Sequence, residues 1–184
     1  MSTANDATVY ELVGGDQGVR QLVRFFYQEM DRQPSAKVIR EMHPQSLDES
    51  EEKLYWFLSG WMGGPQLYWE KRGHPMLRAR HLPFPIGRNE ADLWIECFRL
   101  ALKRHLDSQP AWASTLADTK AARAKLESEL LQALQRVALH MMNQPAVANT
   151  TTPNISTSDK TVASGNDSAL HKDAKTNSPK TTKE

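Results

Sequence analysis

The chain has 184 residues, a formal net charge of +1 and a single cysteine, Cys97. That balance lacks the one-sided basic charge of a nucleic-acid binder, and one cysteine excludes an internal disulfide and a Cys-rich zinc site. The start, MSTANDATVYEL, carries no basic segment followed by an apolar one, and no stretch is apolar for long enough to span a bilayer, so the expectation is a cytoplasmic protein in a reducing compartment without membrane or nucleic-acid partners.

Along the chain, apolar residues recur at helical spacing. Val19, Leu22, Val23, Phe26, Tyr27 and Met30 form a first stripe, one face of a helix. SLDESEEKL then supplies cap residues and early acids. They precede a second stripe, Leu54, Phe57, Leu58, Trp61 and Met62, which GGP at 63–65 stops. RNEADLW opens a third in the same way: Leu93, Trp94, Cys97, Phe98, Ala101 and Leu102. Cys97 reads as a small packed apolar residue within it. Leu126, Leu130, Leu134, Val137 and Met141 form the fourth and longest. No strand-like alternation interrupts them, so the fold class is all-α.

Between the second and third stripes lies a connector, about 65–87, that the prolines of RARHLPFPIG mark as turn or loop rather than helix interior. It holds Leu67, Tyr68, Trp69, Met76, Leu77, Leu82, Phe84 and Ile86, too apolar for disorder, and is expected to pack into the core. A connector of this length in a compact domain is a functional candidate. After Pro145 the composition changes: residues 146–184 contain no Trp, Tyr or Phe and are rich in Thr, Ser, Asn, Asp and Lys. The expected organisation is a folded domain over 1–145 and a disordered tail over 146–184, with His171 in the tail doing nothing specific.

No phosphate loop, nucleophile elbow or His-Glu-x-x-His pair is present. Glu51 and Glu52 sit where a helix start wants acids. His105 and His140 lie late in their helices, where a cation suits the carbonyl end. His74 is a turn residue placed to bond the loop, and His43 ends a short helical turn before Pro44. His81 is a metal-ligand candidate, although a lone histidine is more often a packed loop residue. No second histidine stands near it at ligand spacing, which disfavours structural zinc. Haem is different, since it needs one protein bond, an apolar pocket and cations for its propionates. Arg78, Arg80 and Lys53 could meet those carboxylates, and Leu77, Phe84 and Ile86 could line the porphyrin.

The ordered set YELVGG, RFFYQ, EEKL, WMGGP, RGHPMLRARHLPFPIG and DLWIECF, over about 10–142, resembles the group II, or O-type, truncated haemoglobins of bacteria. The resemblance implies a two-over-two helical sandwich holding haem b. It implies His81 as the proximal iron ligand and Tyr27, Trp94 and His43 as distal residues. Leu54 would lie over the distal face, and Ser50 would stand where classical globins carry a distal histidine, leaving a gate without a strong donor. Lys53 and Arg80 would serve the propionates, while Phe26, Phe57 and Phe84 would be pocket walls. Taken alone, Tyr27 and Trp94 are more often core aromatics.

The implied function is reversible binding of dioxygen, carbon monoxide and nitric oxide at a five-coordinate iron, including oxygen transport. Slow oxygen release is expected from several distal donors, which suits redox chemistry or sensing better than rapid transport. The alternatives are a haem redox enzyme acting on nitric oxide or peroxide with a reductase partner, and, more distantly, a helical interaction module without haem. A monomer or weak homodimer is expected.

Overall fold

The computed structural model describes residues 7–108 and 120–145. Among them every regular element is helical: α1 Val9–Leu12, α2 Gly15–Arg32, a 3-10 turn Pro34–Ala36, α3 Lys37–Arg40, α4 Asp48–Trp61, α5 Leu67–Arg72, α6 Leu77–His81, α7 Arg88–Ser108 and α8 Lys120–Met141. The expected tail over 146–184, with His171, lies outside the described residues.

The chain is steered into α2 by a short capped helix. Thr8 and Glu11 form a reciprocal capping box at α1, the Glu11 N–H donating to Thr8 Oγ1 at 3.2 Å and the Thr8 N–H to Glu11 Oε2 at 2.8 Å. Gly18 then allows α2 to start hard against the end of α1, since a Cβ there would stand 1.8 Å from the Val13 carbonyl oxygen. That carbonyl accepts a hydrogen bond from His105 Nε2 at 2.9 Å, tying α1 to α7.

All six residues of the first stripe are buried on α2. They pack on α7, and α7 packs in turn on α8, while α4 lies against α2. The result is two helix pairs, α2 with α4 and α7 with α8, the two-over-two arrangement. Phe26, Phe98, Leu22, Met30, Leu58, Leu102 and Leu134 are the largest apolar side chains with almost no exposure. Each contributes about 1.5–3 kcal/mol by leaving water. Cys97 is packed among them, and burial pushes its thiol up to about 11. Gly63, at φ 92°, ends α4 as the GGP motif requires.

Four expectations are corrected. The connector 65–87 is not a plain loop: it folds into α5 and α6, with His81 the last residue of α6. Its prolines lie just before and after the helical turns, where they cost no hydrogen bond. Its apolar residues do not all enter the core, because Trp69, Met76, Leu82 and Phe84 stay exposed. On α4 the buried set includes Tyr55, Trp56 and Ser59, while Leu54, Phe57 and Trp61 are only half-buried. Finally, His105 is not a helix-end cation: it is fully buried, and desolvation lowers its pKa, so it is neutral.

Candidate functional site

The site is built from α6 upward. Met76, at φ 47°, is the one non-glycine in the left-handed region among the described residues and caps α6. Such a conformation needs local support. Its N–H donates to His74 Nδ1 at 3.0 Å, and Arg80 Nε donates to the Pro75 carbonyl at 3.0 Å. His74 is thus the loop-bonding residue expected. One turn on, His81 Nδ1 lies 2.7 Å from the Leu77 carbonyl. A carbonyl can only accept, so Nδ1 carries a proton, and in the neutral ring Nε2 is then the nitrogen with the lone pair. That is the tautomer of a histidine ready to bind a metal through Nε2, with its second nitrogen oriented by the backbone.

Beyond His81 the chain turns back through two prolines. The end of α8 meets this turn: Asn143 Nδ2 donates to the carbonyls of His81 and Phe84 at 3.1 and 2.8 Å, and Asn143 Oδ1 accepts from the Ile86 N–H at 3.1 Å. Arg78 reaches the same end of α8, donating to the carbonyls of His140 and Met142 at 2.6 and 3.0 Å.

A second group of side chains comes from α2, α4 and α7. Tyr27 is 4% exposed, edge-on to Phe26 with ring centres 4.9 Å apart and to His43 at 5.6 Å. The Ser50 hydroxyl stands beside its own. Burial and the nearby Glu51 carboxylate push its pKa well above the usual phenol range, so it holds its proton at neutral pH. Trp94 packs edge-on to Phe26 at 5.4 Å and against Phe98 at 4.5 Å. His43 donates its Nδ1–H to the Ile39 carbonyl at 2.8 Å, and desolvation lowers its pKa, with Arg40 and His81 adding to the effect. At neutral pH it is therefore neutral with a bare Nε2, an acceptor in this arrangement. Ser50, expected as a small gate, is engaged by Tyr27.

These positions bring Tyr27, Phe26, Trp94, His43 and Ser50 into one cluster, with His81 near enough to His43 to bear on its charge. Leu54, Phe57 and Trp61 continue it along α4 as a half-buried apolar stripe in line with Ser50, Phe57 and Trp61 stacking at 6.4 Å. Leu77 and Ile86 are half-buried beside His81. Lys53 pairs with Glu49 at 2.7 Å. Arg80 is exposed on α6, beyond the bond that its Nε makes to Pro75.

The donor set suits a cofactor better than a bare ion. Among the described residues no group of three or more His, Cys, Asp or Glu side chains could hold a metal. One bare imidazole nitrogen, flanked by half-buried apolar walls, fits a metal that arrives with its own equatorial ligands, as haem iron does.

Two contributors escaped the sequence reading. Asn143 looks like any polar residue after a helix in MMNQP, and only the proximity of two prolines 57 to 62 positions earlier gives it work. Arg40 is the other. It bonds Asp31 at 2.5 Å and the carbonyls of Pro44 and Gln45 at 2.8 Å, fixing the turn that carries His43. An arginine four residues before a proline turn is its only signal.

The family model described as bacterial-like globin matches residues 8–127. The chain is 37% identical over 135 residues to the group 2 truncated hemoglobin YjbI of Bacillus subtilis, covering 73% of this chain and 88% of that one. Among solved structures it is similar to the group II 2-on-2 hemoglobin of Agrobacterium tumefaciens, at 41% identity and TM-score 0.65, over 79% of this chain and all of that one. The truncated oxygen-avid haemoglobin of Bacillus subtilis is similar at 35% identity and TM-score 0.59, over 74% of this chain and all of that one.

Proposed function

On the premise that the chain belongs to the bacterial-like globins, as a haem-binding group II truncated haemoglobin, we propose that it binds dioxygen, carbon monoxide and nitric oxide reversibly, with haem b held by His81. The observation that carries this reading is the His81 tautomer, with Nδ1–H spent on Leu77 and Nε2 bare. Haem would supply an iron that His81 would hold and that binds a diatomic gas.

The remaining work belongs to the side chains. Leu54, Phe57, Leu77, Phe84 and Ile86 would cover the porphyrin and exclude water. Lys53 and Arg80 would serve its carboxylates, Lys53 by leaving its exposed pair with Glu49, which is worth little. Tyr27 keeps its hydroxyl proton and offers it, with the Trp94 indole N–H as second donor. In a dry pocket such donors act strongly on partial negative charge. His43 packs edge-on against the Tyr27 ring and Ser50 stands beside its hydroxyl, which would hold the ring in place while its proton is offered to a ligand. Two donors aimed at one ligand favour slow gas release, which suits redox chemistry or sensing better than transport. The Bacillus subtilis relative described as oxygen-avid is consistent with that direction.

The test is the visible absorption spectrum of the purified, reduced protein with and without oxygen or carbon monoxide. A strong Soret band that shifts with each gas supports the reading. Absence of a Soret band after reconstitution with haem would sink it and return the helical interaction module to first place.

A further inference from the structure

We propose that Asn143 is a positioning residue for His81: its carboxamide locks the turn 81–86 onto the end of α8 and thereby fixes the direction in which the imidazole presents Nε2. The inference rests on the reading of His81 as the haem ligand.

The turn has a shortage of donors. Helix α6 is five residues long, so its last carbonyls have no intrahelical partner. Pro83 and Pro85 carry no N–H, and the Leu82 and Phe84 N–H groups are spent on the Arg78 and His81 carbonyls, at 3.1 Å each, which leaves the Phe84 carbonyl and the second lone pair of the His81 carbonyl to a side chain. The Asn143 side chain is shaped to the deficit. Its two N–H bonds face the carbonyls of His81 and Phe84, and its oxygen faces the Ile86 N–H. No other side chain of this size carries two donors and an acceptor on one plane. The main chain reinforces it, because the N–H groups of Asn143 and Gln144 both donate to the Ile86 carbonyl, at 2.9 and 3.1 Å. Arg78 ties the first turn of α6 to the same helix end. Helix α6 is therefore held to α8 at both of its ends.

The effect on His81 is specific. Its ring is fixed by Nδ1–H to Leu77, one turn back, and its own carbonyl is fixed by Asn143. Those two bonds grip one residue from its two ends. Removing the second leaves the His81 carbonyl held by the Phe84 N–H alone and the turn tied to α8 only through Ile86, so the imidazole samples a wider range of angles at which Nε2 would meet a metal.

Asn143→Ala should still fold, because the two main-chain bonds to Ile86 do not involve the side chain. Asn143→Asp is the second variant: it keeps an acceptor for Ile86 but sets a carboxylate oxygen against two carbonyls. Both are compared with wild type and His81→Ala as full chains loaded with haem. The readouts are the iron–histidine stretching band in the resonance Raman spectrum of the reduced, gas-free protein and the rate of haem transfer to excess apomyoglobin.

In both Asn143 variants the band should shift and broaden, and haem should leave about tenfold faster. Asn143 variants that melt lower but keep the wild-type band, while His81→Ala lacks it, would make Asn143 a purely structural residue and overturn the proposal. A band that survives in His81→Ala would instead overturn the assignment of the ligand, and the proposal with it.

Discussion

Replacing Tyr27 by Phe removes one atom and its proton. The ring is 4% exposed and packed edge-on against Phe26 and His43, and Phe fills the same space. Stability should therefore change by no more than about 1 kcal/mol, the worth of one hydroxyl hydrogen bond. Ser50 is half-buried and can turn to water, so no orphaned polar group is left. The functional change is larger in kind. A neutral donor contributes about 1 kcal/mol to holding a polar ligand, which is roughly a fivefold change in release rate. The same loss applies to Trp94→Phe. Both residues touch Phe26, so their effects in the double variant need not add. The assay is stopped-flow displacement of oxygen by carbon monoxide. Because burial pushes the Tyr27 pKa upward, the wild-type rate should also stay flat from neutral pH to about 9. Release rates within twofold of wild type in both single variants would refute the distal-donor assignment.

Acid sensitivity should trace partly to His105. Its pKa is lowered in the fold, so the unfolded chain takes up the proton first; stability is full above about 6.5 and is lost as pH falls from there toward the folded value. His105→Gln should flatten the slope of stability against pH between about 7 and 5 in urea titrations, and an unchanged slope would contradict this. Gly18→Ala should cost about 2–4 kcal/mol, because its Cβ would enter the Val13 carbonyl; a melting temperature within 2 °C of wild type would show that α1 yields freely. Ending the chain after Pro145 should leave haem retention unchanged, whereas ending it after Met142 should remove it in large part, since Asn143 and Gln144 are lost. Equal retention in the two truncations would argue against both the domain boundary at 145 and the role of the α8 end.

The buried face of α2 and most of those of α7 and α8 were legible because 3.6-residue periodicity is a local property, although Leu93, Trp94 and Val137 on those stripes are only half-buried. Phe26 and Phe98 needed no tertiary information. On α4 the same logic misled, because that helix has two apolar faces. Tyr55, Leu58 and Ser59 meet protein, while Leu54, Phe57 and Trp61 remain half-buried. Periodicity cannot tell a face that meets a helix from one that meets something else. His81 stood out by its loop chemistry, yet its helical placement did not, since prolines signal where a helix stops and not whether a short one precedes them. The hydrogen bonds that settle tautomers, at His43 and His81, are each to a carbonyl four residues back. That spacing could have been read from sequence once both residues were placed at helix ends. Asn143 could not, because its partners lie 57 to 62 residues away and are backbone atoms.

The same separation has a bearing on how the protein is made. A chain synthesised from its N-terminus presents α2, α4 and His81 long before residue 143 exists. Contacts this distant in sequence form late, after the intervening helices have docked. On a nascent chain the turn after His81 is consequently the last part of the domain to be closed. A haem arriving early would meet a histidine on an unsecured turn, whereas one arriving after α8 has docked meets a finished site. The order of synthesis thus favours a haem that arrives after the chain has passed residue 143.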